Sequence, residues 1–458
     1  MKKYIFLAFS LLFVMAAAIA LGFFHSFQSA TAKPDQGMTT ISNGKGIWKT
    51  VDSLVAQGLP QSALELVNAY LPETERKGDI PEFLKASIYQ LRLRSDFEEN
   101  FIENYIGETE KNLSLKAEPA RQVLNSMLAE LYWQYYQQNR YRILDQTVVK
   151  NDQSTDMATW DARRFVEKVS QHYQASLSDA GLLQSVSLKG YDPILETAEG
   201  SKKFRPTLYD FLAHRAIDFF INDEASLTRP VRPFTMQDPG LLAEPDVFAK
   251  LNIETSDSLS FHYQALRIAQ SVEKFHTGSG DPLPLMDAAL KRLDFVKTNG
   301  NVKSADSLYL ATLLRLEEKY RGNVVAADVI EKIARFWQEK EDNFDVPGEE
   351  TGRYYVIARE WCLKAIDQYP DSDGAKNCKI ILNSIEAPSL DITLNREVVP
   401  GREFPMLVTF RNIPQLWFRL IELDYDEHIN VKQELYSERS AEKYLKLKSL
   451  REIGRAHV

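Results

Sequence analysis

Between residues 46 and 385 apolar side chains recur every three or four positions, the period of helices with one buried face. Trp48, Val51, Leu54 and Val55 mark the first stripe. Gly58-Leu59-Pro60 interrupts it, and Ala63, Leu64, Val67 and Tyr70 begin the next. Two amphipathic helices joined by so short a turn form a helical hairpin, the unit that α-solenoids stack. Longer helices are predicted over 118–138, 207–221 and 261–275. Further on, Leu310, Leu313 and Leu314 form a stripe that ends at Gly322-Asn323, and Val329, Ile333, Phe336 and Trp337 form another. The most regular stripe is Tyr355, Ala358, Cys362, Ala365, Ile366 and Tyr369. The pattern lapses over 226–258, where Pro230, Pro233, Pro239 and Pro245 forbid a continuous helix and predict a long loop or internal linker.

At Glu386-Ala387-Pro388 the period changes from helical to alternating. Leu390, Ile392 and Leu394 alternate with polar residues, Val399-Pro400-Gly401-Arg402 is a turn, and 404–410 is a second apolar strand. Leu416, Phe418 and Leu420 begin a third strand, with Trp417, Arg419 and Ile421 on its other face. A charged, helical-looking segment follows over 433–450. Helices followed by strands predict a second domain of another class. Three strands cannot cover both edges of a sheet, so this domain is expected to be incomplete.

The two ends of the chain read differently from its middle. Lys2 and Lys3 precede an apolar run over 4–24, and Ser29-Ala30-Thr31-Ala32 follows. A short basic start, an apolar run and small residues at Ala30 and Ala32 predict an export signal over 1–32, cleaved before Lys33. An uncleaved leader could instead remain as a membrane anchor, because the apolar run is long enough to span. No cysteine follows the run, which excludes a lipoprotein anchor. At the other end, Ile453-Gly454-Arg455-Ala456-His457-Val458 matches the translation of a common sequencing adapter. The expectation is a reading frame cut short, with an artificial tail at 453–458.

Loss of the leader removes two lysines and no acid, taking the formal net charge from −9 to −11. An acidic chain without a basic cluster has no electrostatic footprint for nucleic acid, and membrane contact is expected only through an uncleaved leader. With 44% hydrophobic residues among 458, the chain has material for folded domains, and for more than one.

Chemical motifs are scarce. There is no H-E-x-x-H, G-x-S-x-G, phosphate-cradling glycine loop or C-x-x-C, so no catalytic, cofactor or metal residue is assigned and no enzyme activity is expected. His172, His214, His262 and His276 fall within or at the ends of helical segments, where a lone histidine is ordinarily a surface or satisfied core residue. His25 lies in the leader, His428 after the third strand and His457 in the tail. The two cysteines, Cys362 and Cys378, lie on apolar helical faces either side of a turn at 370–374. They are either buried thiols acting as small hydrophobes or a disulfide across a hairpin. The run Leu131-Tyr132-Trp133-Gln134-Tyr135-Tyr136, with Tyr141 beyond it, has two readings. Tyr132, Trp133, Tyr135 and Tyr136 can form an exposed platform for sugars or peptides, or pack between stacked helices.

Two resemblances follow from these residues. The spacing of Ala358, Cys362, Ala365 and Pro370 resembles the second helix of a tetratricopeptide repeat, in which small residues let helices approach and proline ends the unit. Cys362 departs from it, standing where that family usually has an aromatic residue. The β-segment, with Val399-Pro400-Gly401 before Phe404, Arg411-Asn412 after the strand, and Trp417-Phe418-Arg419, is similar to the amino-terminal part of large bacterial alpha-2-macroglobulin-like proteins. That resemblance implies an exported, non-enzymatic protease trap in the periplasm or cell envelope. Its partners would be proteases, met through a downstream bait segment, and an envelope protein docked on the helical region. The family's thioester cysteine is followed by glycine, whereas Leu363 follows Cys362 and Lys379 follows Cys378, so neither is that cysteine.

The expected architecture is therefore mainly α: a linker over 33–45, an irregular tetratricopeptide-like helical-hairpin solenoid over 46–385, and the start of an antiparallel macroglobulin-type β-sandwich over 386–452. A second reading is an exported helical-repeat interaction or glycan-binding scaffold, with the aromatic run as its binding surface.

Overall fold

Caps and breakers in the sequence set the helix boundaries. In the computed structural model, which describes residues 44–146, 154–195, 200–222, 233–257, 259–343, 352–394, 405–421 and 449–457, the first helices are α1 (Gly44–Ala56), α2 (Pro60–Lys77) and α3 (Ile80–Arg94). Pro60 opens α2, where its missing N–H costs nothing, and Gly78 closes it in the left-handed conformation at φ 69°. Asp79 then caps α3 by accepting from the Glu82 amide. Ile47, Trp48, Val51, Ala63, Val67, Ala86 and Leu93 close one core across these helices. The leader expected at 1–32, with Ala30, Ala32 and Lys33, lies outside the described residues. The linker expected at 33–45 is too long by at least two residues, because Gly44 and Lys45 already belong to α1.

The chain continues through α4 (Phe101–Asn112), α5 (Ala120–Gln138), α6 (Arg140–Leu144), α7 (Ala162–Ser176), α8 (Ala180–Ser185) and α9 (Leu208–Phe220). Then come α10 (Pro245–Phe248), α11 (Phe261–Ser279) and α12 (Pro282–Asn299). The predicted ends of the 207–221 helix are its caps: Thr207 and Asp210 exchange capping-box hydrogen bonds, and Ile221 closes the last turn. Within the proline-rich stretch, the described part is neither continuous helix nor free linker. It makes a short turn at Pro239–Leu242 and the single turn of α10, and it buries Met236, Leu241, Leu242, Phe248 and Ile253.

Two compact units divide the chain between Tyr309 and Leu310, inside α13 (Ala305–Lys319). The expected boundary at 385/386 marks a change of secondary structure, and the division by packing falls earlier. In the second unit, α14 (Ala326–Asp342), α15 (Arg353–Gln368) and α16 (Asp373–Glu386) pack on one another around Ile330, Ala334, Ala358, Cys362, Ala365, Cys378 and Ile381. Gly374, in the first turn of α16, lies against the backbone of Ala327 and Asp328 in α14.

The β-segment forms two antiparallel two-stranded sheets. β1 (Ser389–Leu394) pairs with β2 (Met406–Arg411), and Leu390, Ile392 and Leu394 stand opposite Phe410, Val408 and Met406. Directly opposite residues share a face, so these six make one apolar side of the ribbon. β3 (Gln415–Ile421) pairs with β4 (Ser449–His457). Residues 449 and 450, expected at the end of a helical segment, are therefore strand, and so is 453–457 of the expected tail. Ladder hydrogen bonds join backbone to backbone and read no side chain, so a strand edge such as that of β3 accepts any extended segment. The V-P-G turn, His428 and most of 433–450 lie outside the described residues.

Candidate functional site

The aromatic run is core. Tyr132, Tyr135 and Tyr136 are buried on α5, and Trp133 is half-buried. Helices α4, α7 and α9 all pack on α5, so it has no broad solvent face on which consecutive rings could be displayed. Tyr132 stacks between Trp160 and His172, with ring centroids 5.9 and 5.6 Å away, and Tyr135 stacks on Phe165 at 5.5 Å. Trp133 packs on Tyr136 at 5.1 Å and edge-on to Phe219 at 5.4 Å. Of the two readings of these four residues, packing between helices is the one the structure shows. Tyr141, one helix further on, is 88% exposed.

Beside those rings lies a polar node that no sequence pattern marks. His172 contacts Asn125 Oδ1 through Nδ1 and Glu110 Oε1 through Nε2, each at 2.9 Å. Lys168 donates to the same Glu110 oxygen at 2.9 Å, and the Asn125 amide donates to the Arg121 carbonyl. Burial pushes the Glu110 carboxyl up, but hydrogen bonds from His172 and Lys168 outweigh it and hold it at about 2, against 4.5 for the free group. A folded pKa below the unfolded one means stability that is present above about 4.5 and is lost as pH falls through about 2. Because Glu110 keeps partial solvent contact, this contribution is about 2 kcal/mol. Urea unfolding should therefore show the native protein losing about that much more than Glu110→Gln between pH 5 and pH 2.5. Equal losses would remove Glu110 as the cause.

A second node joins α9 to α11 and α12. His276 Nε2 meets Asp210 Oδ1 at 2.6 Å, while Asp210 Oδ2 accepts from the Thr207 hydroxyl at 2.8 Å and the Thr207 amide at 3.0 Å. His214 lies 3.5 Å from Asp287, which also holds Arg205 at 3.0 Å. Burial first, and then the charges of Arg205, Lys291 and His276, push His214 well below the usual histidine range. Both histidines are buried, and these groups tie α9 to α11 and α12. The Nδ1 atoms of His214 and His276 have no hydrogen-bond partner among the described residues.

Arg292 and Glu273, on α12 and α11, form a fully enclosed ion pair through Arg292 Nε and Nη2 at 2.8 and 3.1 Å. Burial raises the Glu273 carboxyl against the opposing pull of the guanidinium. Cys362 and Cys378 are both free, buried thiols in one core cluster. Among the described residues no group of three or more His, Cys, Asp or Glu side chains can hold a metal ion. A cleft of about 210 Å³ between α2, α3, α4 and α5 is lined by Leu71, Phe83, Gln90, Tyr105, Asn112 and Lys116. Its Gln90, Asn112 and Lys116 are already engaged by Asn68, the Glu108 carbonyl and Glu75.

Two of the residues that carried the β-resemblance, Arg411 and Asn412, meet the last helix. Arg411 donates to the Ser384 carbonyl at 2.9 Å and lays its guanidinium over Tyr355, 4.7 Å from the ring centre. Asn412, held at φ 55° where asparagine is tolerated best after glycine, donates to the Ile385 carbonyl at 2.7 Å. Carbonyls in the last turn of α16 are thereby satisfied by the last residue of β2 and the residue after it. No protein-family model matches this chain, and no curated protein matches it. No helix among the described residues is long and apolar enough to cross a membrane.

Proposed function

We propose that this chain is the amino-terminal part of an exported, non-enzymatic protease trap of the alpha-2-macroglobulin-like kind. In this reading the helical hairpins stack as a solenoid that docks on an envelope partner, and the β-segment begins the first macroglobulin-type sandwich. Protease capture belongs to downstream domains, and the protein works in the periplasm or cell envelope. The observation that supports the reading is the seat of Arg411-Asn412. These two residues of the family-like motif fasten the β-segment to the end of α16, so the motif lies where a helical region hands over to strands. A scaffold built to position a following domain needs a fixed joint at that place, because a loose linker would transmit no geometry. The glycan-capture alternative loses its binding surface with the burial of Tyr132, Tyr135 and Tyr136.

The expected result is a division of labour. The purified chain should leave a panel of endopeptidases fully active on a protein substrate. The longer reading frame from the same locus should suppress cleavage of that protein while sparing a small chromogenic peptide, which still reaches an entrapped active site. Inhibition by the chain alone, or a natural frame without further β-domains, overturns the proposal.

A further inference from the structure

The two cysteines are placed for a covalent step. Cys362 is flanked on the same face of α15 by Ala358 and Ala365, each one turn away, and all three are wholly buried. Cys378 follows Ala375 by one turn on α16, and it too is wholly buried. Alanines at these positions let the two helices pack closely, and both cysteines lie in the one core cluster that α15 and α16 share. A disulfide needs two β-carbons facing each other at about 3.5–4.5 Å, a separation that two small residues in one core cluster between packed helices can reach. No other described cysteine competes for either partner.

We propose that Cys362 and Cys378 are oxidised to a disulfide that fastens α15 to α16 when the chain folds in the presence of a disulfide-class oxidant. Two S–H bonds break and one S–S bond forms. The oxidant's own disulfide takes up the two electrons and both protons and leaves as two thiols. Attack requires a thiolate with access to that oxidant. In the docked pair neither condition is met, since the neighbouring Cys362 and burial push the Cys378 thiol up and both residues are wholly buried. Exchange therefore happens while α16 is undocked, during folding or local opening. Docking then buries the bond away from reductant. The chemistry depends on the oxidant and not on the protease-trap reading, so either can fail alone.

The test is refolding of the whole chain from the reduced, denatured state in a mixture of oxidised and reduced glutathione. The product is then denatured without reductant, labelled with a maleimide and weighed. The expected product carries no label, weighs two hydrogen atoms less than the reduced chain, and yields a 362–378 cross-linked peptide on non-reducing digestion. Closing a loop of this length lowers the unfolding equilibrium constant of the second unit about a hundredfold. The denaturant midpoint of the oxidised chain should therefore fall on adding dithiothreitol. The doubly substituted Cys362→Ala, Cys378→Ala chain, which keeps the small volume at both positions, should show no such fall. Two labelled thiols, a glutathione adduct, a chain-to-chain bridge, or a midpoint indifferent to reductant in the native sequence each overturns the proposal.

Discussion

Arg292→Ala is expected to destabilise the first unit by roughly 3–5 kcal/mol, because it strands a buried charge instead of merely removing a contact. The guanidinium is enclosed on all sides. It donates to both oxygens of Glu273, to the Leu241 carbonyl at 2.6 Å and to the Ala243 carbonyl at 3.0 Å. Its flat face lies on Phe248, 4.1 Å from the ring centre. One side chain thus joins α11, α12 and the packed proline-rich loop. Without it, an enclosed carboxylate and two carbonyls have no partner and no water. Arg292→Lys should recover little, since an ammonium cannot fork to a carboxylate while reaching two carbonyls. Replacing Arg292 and Glu273 together by methionine should cost less than Arg292→Ala, because no buried charge remains. Urea unfolding of the three variants checks this. An Arg292→Ala loss below about 1 kcal/mol would show that water reaches the pair.

The helical frame was legible because its signals are local. The Gly58-Leu59-Pro60 break, the Thr207 cap and the stripe through Ala358, Cys362 and Ala365 each lie within a few residues of what they determine. The nodes that hold the frame were not legible. Glu273 and Arg292 are 19 positions apart, and Glu110 and His172 are 62 apart, so no spacing rule links them. Either pair reads as ordinary charged and polar residues on helices until tertiary packing encloses it. The aromatic run was ambiguous for a related reason. Consecutive rings point around a helix in all directions, and only the presence of α4, α7 and α9 decides whether they are covered. Prolines over 233–257 admit only a short turn at Pro239–Leu242 and the single turn of α10. They said nothing of whether the resulting loop would pack, and Leu241, Leu242 and Phe248 show that it does.

The second unit has a weak point of the opposite kind, where no side chain can be added. Gly374→Val is expected to cost about 3 kcal/mol or more, at the upper end of what overpacking does. A Cβ at Gly374 would stand 2.3 Å from the Ala327 carbonyl carbon, 2.4 Å from its oxygen and 2.6 Å from the Asp328 nitrogen. All three are backbone atoms at the start of α14, so no rotamer change relieves the clash and α16 must draw away. That movement opens the core in which Ala334, Ala358, Cys362 and Cys378 meet, and close packing offers nothing to refill it. Gly107→Ala supplies the contrast. It sits inside α4 with open space where its Cβ would go, and should gain about 0.5–1 kcal/mol from helix propensity alone. Two readouts follow for Gly374→Val: a lower denaturant midpoint, and faster maleimide labelling of the reduced cysteines in the native state. A variant whose midpoint and labelling rate both match the native sequence would mean that α14 and α16 do not approach at Gly374. The close approach of α15 and α16 that brings the two thiols together would then have to be held by the alanine-lined faces of those two helices alone.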